Sequence, residues 1–305
     1  MRILIGVLAA GALWAQQAAP QDDGKPTVFH LDTRIVVCHT TVIDKEGHLV
    51  TTLPESAFTV YENKVRQQIR RFKREDIPVS LGLVIDNSGS MRNKLEQVKA
   101  AAVALVKASN PEDEVFVVNF NDAAYLDLPP GKDFTNSIPE LQQALAKIDT
   151  RGGTAMRDAI QMSIDHLKRA HRDKKVLVVI TDGNDNSSVI TLEALMRNAH
   201  QSGVLIYGVG LLNEEEHREA ARARRALNDL AEATGGKTFF PRDVEEVGHI
   251  AEQVAHDIRN QYTIEYSPSN SAMDGTFRQI KITVKAPGNP VVRTRSGYYA
   301  TPDKK

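Results

Sequence analysis

Two patterns of apolar and polar positions alternate between residues 79 and 262. Nearly continuous apolar runs are typical of buried strands, and apolar residues that recur every three or four positions are typical of amphipathic helices. The predicted strands are VSLGLVID, EVFVVNF, KVLVVITDG, VLIYGVG and GKTFF. The predicted helices are 95–106, 138–148, 154–170, 192–201, 214–234 and 244–262. This order predicts an α/β fold, with a doubly wound, mostly parallel sheet covered on both faces.

Strand-like alternation appears on both sides of this region. RIVVCHTTVID, LVTTL and AFTVYENKVRQQIRRF precede it, and YTIEYSP, FRQIKITVKAP and PVVRTRSGYYA follow it. Neither flank has enough strands to bury a sheet face by itself. We therefore predict one β-sandwich made of residues 28–76 and 261–300, with the α/β domain of residues 77–260 inserted into it. Two separate β appendages are the alternative.

The N-terminus has the layout of a secretory signal peptide in residues 1–19. Arg2 precedes an apolar run from Ile3 to Leu13, and small residues follow. The run is shorter than the roughly 20 apolar residues of a membrane-spanning helix. We expect cleavage between Ala12 and Ala19, no membrane span afterwards, and export to the periplasm, the cell surface or the medium. A buried helix of the mature domain is the alternative.

Composition narrows the class of protein. The chain has 305 residues, of which 41% are hydrophobic and 25% charged, which is ordinary for a globular protein. Its 38 basic and 39 acidic residues give a net charge of -1. Because the bulk charge is balanced, we do not expect a nucleic-acid partner. Cys38 is the single cysteine, so the chain forms no intramolecular disulfide.

Carboxylates and hydroxyls occupy three loops at the predicted carboxyl edge of the sheet. Asp86, Ser88 and Ser90 stand in LVIDNSGSMR, Thr154 in RGGTAMRD, and Asp182 in VITDGNDNSS. In open α/β sheets ligands bind at this edge. Carboxylate and hydroxyl oxygens without Cys or His predict a hard-cation site, with Mg²⁺ as the first choice and Mn²⁺ or Ca²⁺ as alternatives. The competing interpretation is that these residues only cap helices and form turns.

The motifs DNSGS, GGT and TDG, in this order on alternating strands and helices, resemble the metal-ion-dependent adhesion site of the von Willebrand factor type A domain. The resemblance covers roughly residues 79–259. It implies that Ser88, Ser90 and Thr154 bind the metal through their hydroxyls, and that Asp86 and Asp182 bind directly or through water. The flanks resemble the VWFA-related family of exported bacterial proteins, except that ENK stands where that family more often has an acidic residue followed by Asp-Gly.

The resemblance implies a binding module in which an Asp or Glu carboxylate of a partner protein completes the metal site. We expect no enzymatic activity. A Mg²⁺-dependent phosphoryl-transfer hydrolase is one alternative, but such phosphatases carry a second Asp two residues after the nucleophile, where this chain has Ser88. A scaffold domain without metal function is another. We expect the neighbouring Asp185 to be a turn residue, the alternative being that it steers the partner or holds a water.

Overall fold

The computed structural model describes residues 34–74, 76–147, 149–212 and 217–302. The predicted signal peptide lies outside these residues. The strands are β1 (Val36–Ile43), β2 (Phe58–Glu62), β3 (Val65–Gln67), β4 (Ile69–Lys73), β5 (Val79–Asp86), β6 (Glu114–Phe120), β7 (Ala124–Leu126), β8 (Lys174–Thr181), β9 (Leu205–Gly210), β10 (Thr238–Phe239), β11 (Tyr262–Tyr266), β12 (Phe277–Val284), β13 (Val291–Arg293) and β14 (Gly297–Tyr299). The helices are α1 (Leu95–Ala108), α2 (Ile138–Ala146), α3 (Met156–His166), α4 (Leu192–Ser202), α5 (His217–Thr234) and α6 (Val247–Arg259). None of the helices in these ranges is long and apolar enough to cross a membrane.

A six-stranded sheet forms the centre of the α/β part. Its strand order is β10-β9-β8-β5-β6-β7, and only β7 runs antiparallel to its neighbour. Every residue of β5 is buried because helices cover both faces of the sheet, which explains its unbroken apolar sequence. The predicted α/β fold is confirmed.

The strands of the two flanks combine in two antiparallel sheets. Their orders are β13-β1-β11-β4 and β14-β12-β2-β3, so each sheet contains strands from before and after the α/β part. A second apolar core lies among these strands, and it includes Val60, Tyr262, Ile264, Tyr266 and Tyr298. Each sheet combines strands from both flanks because neither flank alone supplies a complete buried face.

Three predicted elements differ from the structure. LVTTL is not a strand: only Leu49 forms an isolated bridge, to Ile43, and the segment is then held by the Tyr262 hydroxyl. The last helix ends at Arg259 and not at Tyr262, which starts β11 and lies in the sandwich core. PVVRTRSGYYA forms two strands, β13 and β14, in different sheets.

The sheet order places one crevice at the carboxyl ends of β5 and β8. The chain leaves β5 toward β6 on one side, whereas β8 and β9 lie on the other side. Such a switch point leaves a crevice between loops, where α/β proteins bind ligands. The loops after β5 and β8 carry Asp86 and Asp182, so both predicted carboxylates are brought to this crevice.

Candidate metal centre

Asp86 is fully buried at the end of β5 and shapes the loop that follows. One carboxylate oxygen accepts a hydrogen bond from the Ser88 backbone N–H at 2.8 Å, and the other accepts one from the Thr181 hydroxyl at 2.6 Å. Burial, opposed in part by these hydrogen bonds, raises the pKa of the Asp86 carboxyl to about 6, and the charge of Asp182 acts in the same direction as burial. The fold therefore holds an acidic group in a place that disfavours its charge.

Ser88, Ser90 and Asp182 form a continuous row of oxygens. The hydroxyls of Ser88 and Ser90 lie 3.1 Å apart, and the Ser90 hydroxyl donates to Asp182 Oδ1 at 2.8 Å. Ser88 is buried, whereas Ser90 is exposed to solvent. Asp182 is buried like Ser88, so the row reaches solvent at its middle member, Ser90.

The glycine loop before α3 packs directly on the loop after β5. Gly152 has a φ of +71°, and its carbonyl accepts a hydrogen bond from the Gly89 N–H at 3.2 Å. Asp122, which follows β6, accepts one from the Gly153 N–H at 2.7 Å. A Cβ atom at Gly152 would lie 2.1 Å from Asp122 Oδ2, so both the backbone angle and the close approach require glycine.

Thr154 is buried beside this row, but its position differs from the one predicted in one respect. The helix begins at Met156, because the Thr154 N–H donates to Asn186 Oδ1 and its carbonyl accepts from Asn186 and Ser187. Its hydroxyl lies 3.8 Å from the position of a Cβ atom on Gly183, next to Asp182. Thr154 is thus attached to the Asp182 loop rather than opening the helix.

Lys94 is a member of this cluster that the sequence pattern did not predict. Its ammonium donates to Asp182 Oδ2 at 2.7 Å and to the Leu211 carbonyl at 3.3 Å. The Asp182 side chain is only 1% exposed and that of Lys94 is 30% exposed. No sequence signal marked it, because the short 3-10 turn Gly89–Asn93 that brings it back to the crevice is not visible in the apolar pattern.

Asp185 has an internal role in the structure. Its carboxylate accepts hydrogen bonds from the Arg157 N–H, the Arg157 guanidinium and the Ser188 hydroxyl. The Asp185 side chain is almost fully buried. Because its oxygens already bond to the start of α3 and to its own loop, Asp185 is a turn-forming residue.

The donor set fits a small hard cation. Oxygen ligands at adjacent corners of an octahedron with bonds of roughly 2.1 Å lie about 3.0 Å apart. The separations along the row, 3.1 Å and 2.8 Å, are close to this spacing. Among the described residues, no group of three or more His, Cys, Asp or Glu side chains is placed to hold a metal. The hydroxyl and carboxylate oxygens of this crevice are therefore the donor set to consider.

A doubly wound α/β domain that gathers side-chain oxygens at the switch point of its sheet belongs to the class of Rossmann-like ligand-binding domains. The sequence profile of the von Willebrand factor type A domain matches residues 81–253, more than half of the chain. The chain therefore belongs to the von Willebrand factor type A family.

Relatives by sequence are distant. The chain is 24% identical to inter-alpha-trypsin inhibitor heavy chain H4 of Sus scrofa over 231 residues, which cover 68% of this chain and 23% of that protein. The same heavy chain of Bos taurus is 24% identical over 227 residues. The chain thus spans about a quarter of the length of these curated relatives.

Solved structures share the fold. A von Willebrand factor type A protein from Catenulispora acidiphila has a TM-score of 0.51 and 15% identity, covering 90% of this chain and 76% of that one. Proximal thread matrix protein 1 from the mussel byssus, with a zinc-occupied MIDAS motif, has a TM-score of 0.51 and 18% identity, covering 65% and 50%. At these identities the likeness concerns the fold alone.

Proposed function

We propose that this protein is a non-enzymatic, metal-dependent protein-binding module of an exported bacterial protein. Ser88, Ser90 and Thr154 would hold Mg²⁺ through their hydroxyls, and Asp86 and Asp182 would bind it directly or through water. When bound, the cation supplies a coordination position for an Asp or Glu carboxylate of the partner. The observation that carries the proposal is the convergence of the Ser88, Ser90 and Asp182 oxygens at one loop edge, with separations of 3.1 and 2.8 Å that suit hydrogen bonds in the metal-free protein and adjacent ligands of a small cation alike.

The donor chemistry supports Mg²⁺ over a softer metal. Protein sites for Zn²⁺ are rich in Cys and His, whereas Mg²⁺ prefers oxygen ligands and keeps some water. The matching motif of the mussel byssus protein has been found with zinc in it, so Zn²⁺ belongs among the cations to be compared. Mn²⁺ and Ca²⁺, which also accept oxygen ligands, complete the set of cations to be compared.

The contacts of Asp86 favour binding over phosphoryl transfer. A nucleophilic carboxylate must contact the substrate phosphorus directly, whereas a carboxylate at a Mg²⁺ site can act through a bound water. Both Asp86 oxygens accept hydrogen bonds inside the fold, and the side chain is fully buried. A phosphatase of this type would also need an Asp as general acid two residues after Asp86, and this chain has Ser88 there. A hydrolase would show turnover of a phosphate ester with Mg²⁺, and we expect none above that of the Asp86→Ala variant.

Calorimetric titration with Mg²⁺ tests the metal half of the proposal. We expect saturable binding by the unaltered protein and none by Asp86→Ala or Thr154→Ala. Asp165→Ala is the matched control, because Asp165 is an exposed carboxylate on α3 whose side chain, among the residues described, bonds to Gln161 and Lys168. Circular dichroism shows whether each variant is folded. Absence of heat and of any Mg²⁺-dependent rise in melting temperature would support a scaffold without metal function.

Capture of partners from the cell envelope tests the second half. Proteins retained in Mg²⁺ but lost in EDTA, and lost with Thr154→Ala, are the expected partners. Replacing acidic residues of a captured partner by their amides should then abolish its retention. A partner that stays bound in EDTA, and that also binds to Asp86→Ala and Thr154→Ala, would refute the metal bridge.

A further inference from the structure

A cavity of about 610 Å³ lies at the end of the α/β part opposite to Asp182. One wall is the outer face of the sheet β13-β1-β11-β4, and the other includes Asp173 and Lys175 at the start of β8. Strand register sets two rows of the first wall: Val37, Glu265 and Arg71 form one row, and His39, Thr263 and Lys73 the next. The cavity is thus built from both parts of the chain and is separate from the candidate metal centre.

Positive charge exceeds negative charge around this cavity. The cationic side chains in its lining are Arg34, Arg71, Lys73, Lys175 and Arg295, and the acidic ones are Asp173 and Glu265. Arg71 and Glu265 face each other at 3.8 Å. Lys73 has a partner and is left out of the count. With Arg71 offset by Glu265, the described groups Arg34, Lys175 and Arg295 against Asp173 leave an excess of two positive charges, which makes the cavity attractive to an anion.

Two of these guanidinium groups have no carboxylate partner among the residues the structure describes. Arg34 donates to the Thr301 carbonyl at 3.0 Å, and Arg295 donates to the carbonyls of His200 and Gly297 at 2.5 and 3.2 Å. Both lie beside the ring of Tyr298, at 4.9 and 6.0 Å from its centre. Glu62 accepts a hydrogen bond from the Tyr298 hydroxyl at 2.9 Å, but neither guanidinium is bonded to it, so both cations keep only neutral acceptors among the described residues and favour an anionic ligand.

The guanidinium of Arg295 has a nitrogen left for such a ligand. Its Nη1 atom lies 3.7 Å from the position of a Cβ atom on Gly203, which lines the cavity. Burial lowers the pKa of Arg295, and the charge of Arg34 acts in the same direction. Burial, with Lys174 and Arg295, also holds the pKa of the neighbouring His39 well below its usual range. Burial is the larger cause of both shifts, and the neighbouring cations add to it.

We propose that this cavity binds a small organic phosphate. A phosphate monoester carries about two negative charges at neutral pH, and its oxygens match the fork of a guanidinium. Arg34, Arg295 and Lys175 would contact the phosphate. Ile35 and Val37, which are 55% and 37% exposed on the cavity wall, would contact the apolar part of the molecule. A cavity of this volume is in the range of small-molecule sites.

Titration with inorganic phosphate and with phenyl phosphate, at constant ionic strength and in EDTA, tests this proposal. We expect saturable binding, with phenyl phosphate bound more tightly than inorganic phosphate. Benzoate should bind more weakly than phenyl phosphate. Arg34→Gln and Lys175→Gln should each weaken phenyl phosphate binding about tenfold, the effect of losing one charged hydrogen bond. Lys281→Gln is the matched control, since Lys281 is exposed on β12, away from the cavity.

Several results would overturn the proposal: no saturable binding, equal affinity for benzoate, or equal weakening by Lys281→Gln. Melting temperatures of the ligand-free variants serve as a folding check. We expect Lys175→Gln to melt close to the unaltered protein and Arg34→Gln to melt only slightly lower, because Arg34 loses its bond to the Thr301 carbonyl and its contact with the Tyr298 ring. Cosedimentation with phosphatidylglycerol vesicles distinguishes a lipid head group from a free phosphate ester. If the protein binds the vesicles and phenyl phosphate does not inhibit this binding, the result would count against a free phosphate ester as the ligand.

Discussion

Both carboxylate oxygens of Asp182 are engaged inside the protein. Ser90 donates to one of them, and the Lys94 ammonium donates to the other. An ammonium 2.7 Å from a buried carboxylate cancels most of the charge that would attract a divalent cation. Lys94 therefore stabilises the metal-free site and opposes the metal at the same carboxylate.

Replacing Lys94 by methionine should have opposite effects on the metal-free and metal-bound protein. We expect Mg²⁺ affinity to rise by about tenfold, since one repelling charge near the cation is removed. The metal-free protein should lose up to about 3–5 kcal/mol, because the Asp182 carboxylate stays buried without its partner. Calorimetry and urea unfolding in EDTA measure the two effects. Lys107→Met, at an exposed position on α1, should change neither, and an unchanged affinity in Lys94→Met would contradict the charge argument.

Replacing Asp86 by asparagine should stabilise the metal-free protein. A carboxyl pKa of about 6, against an ordinary 3.8, corresponds to about 3 kcal/mol lost when the buried group ionises. Asparagine carries no charge, but its amide has one acceptor oxygen where the carboxylate has two, so one of the hydrogen bonds from Ser88 and Thr181 is lost, and we expect a net gain of roughly 1–2 kcal/mol in EDTA at pH 7. Urea unfolding measures this gain. If Mg²⁺ still raises the melting temperature of Asp86→Asn, Asp86 is not part of the metal site.

The acidic and hydroxyl residues of this site could be predicted from the sequence but Lys94 could not, and the reason is local geometry. Asp86 and Asp182 come at the ends of apolar strands, where the sheet edge can be read from the pattern. Lys94 stands among charged residues near the start of a helix, and such residues usually face solvent. Its contact with Asp182 depends on the 3-10 turn Gly89–Asn93, which the apolar pattern does not indicate.

The tight turn between β2 and β3 is set by two residues. Asn63 and Lys64 have φ values of 47° and 68°, so the turn is of type I′, the form that matches the twist of a two-residue hairpin. The Asn63 side chain also accepts a hydrogen bond from the Gln279 N–H on β12 at 2.9 Å. Asparagine suits its position, whereas lysine is strained in the left-handed region.

Replacing Lys64 by glycine should stabilise the protein by roughly 0.5–1 kcal/mol, because glycine adopts a positive φ without a steric penalty. The midpoint of urea unfolding measures this change. Lys45→Gly in the preceding turn is a suitable comparison, since Lys45 does not have a positive φ. There we expect no gain. A destabilised Lys64→Gly variant would show that the lysine side chain contributes more than its backbone costs.

Most strands could be predicted from alternation, but two features depended on tertiary contacts. The apolar and polar alternation continues through PVVRTRSGYYA, and nothing in it marks the change of sheet between β13 and β14. The change occurs where the Ser296 N–H donates to the Ala233 carbonyl at the end of α5. Similarly, LVTTL has the composition of a strand, but two of its backbone groups bond to a side chain instead of a strand. The Tyr262 hydroxyl donates to the Val50 carbonyl and accepts from the Leu53 N–H.

Buried polar groups join the sandwich strands to the α/β part. Lys174, at the start of β8, is buried and donates to the Ile258 carbonyl near the end of α6. Burial lowers the pKa of Lys174 to about 7, although Asp76 and Asp113 act in the opposite direction. Two residues after α6, the chain enters β11, so this contact lies where the two parts meet.

The pKa of Lys174 predicts that stability rises with pH between 7 and about 10. Over this range the unfolded chain keeps the lysine proton, with a pKa near 10.5, while the folded chain releases it. The unfolded state therefore binds more protons, and raising the pH from 7 to 9 should add about 2 kcal/mol. Urea unfolding measures it. The slope should vanish in Lys174→Met and persist in Lys175→Met, and a slope that persists in both would assign it to other groups.

The ion pair between Arg293 on β13 and Asp257 on α6 links the two parts more strongly. Its atoms are 2.8 Å apart, and both side chains are largely buried. Nearby, the Gln261 amide donates to the hydroxyls of Thr41 on β1 and Tyr207 on β9. Because these groups come from sandwich strands and from the α/β part alike, we expect the described chain to unfold in a single transition.

Replacing Arg293 by methionine leaves the Asp257 carboxylate buried and unpaired, which should cost about 3–5 kcal/mol. The double variant Arg293→Met with Asp257→Asn removes the buried charge as well, so it should recover most of this loss. Far-ultraviolet circular dichroism follows the unfolding of both parts. Tyrosine fluorescence reports mainly on the sandwich, whose core contains Tyr262, Tyr266 and Tyr298. If the pair couples the two parts, the two signals coincide in every variant. Separate transitions in Arg293→Met, with only the sandwich signal shifted, would mean that the inserted domain is stable without its flanks.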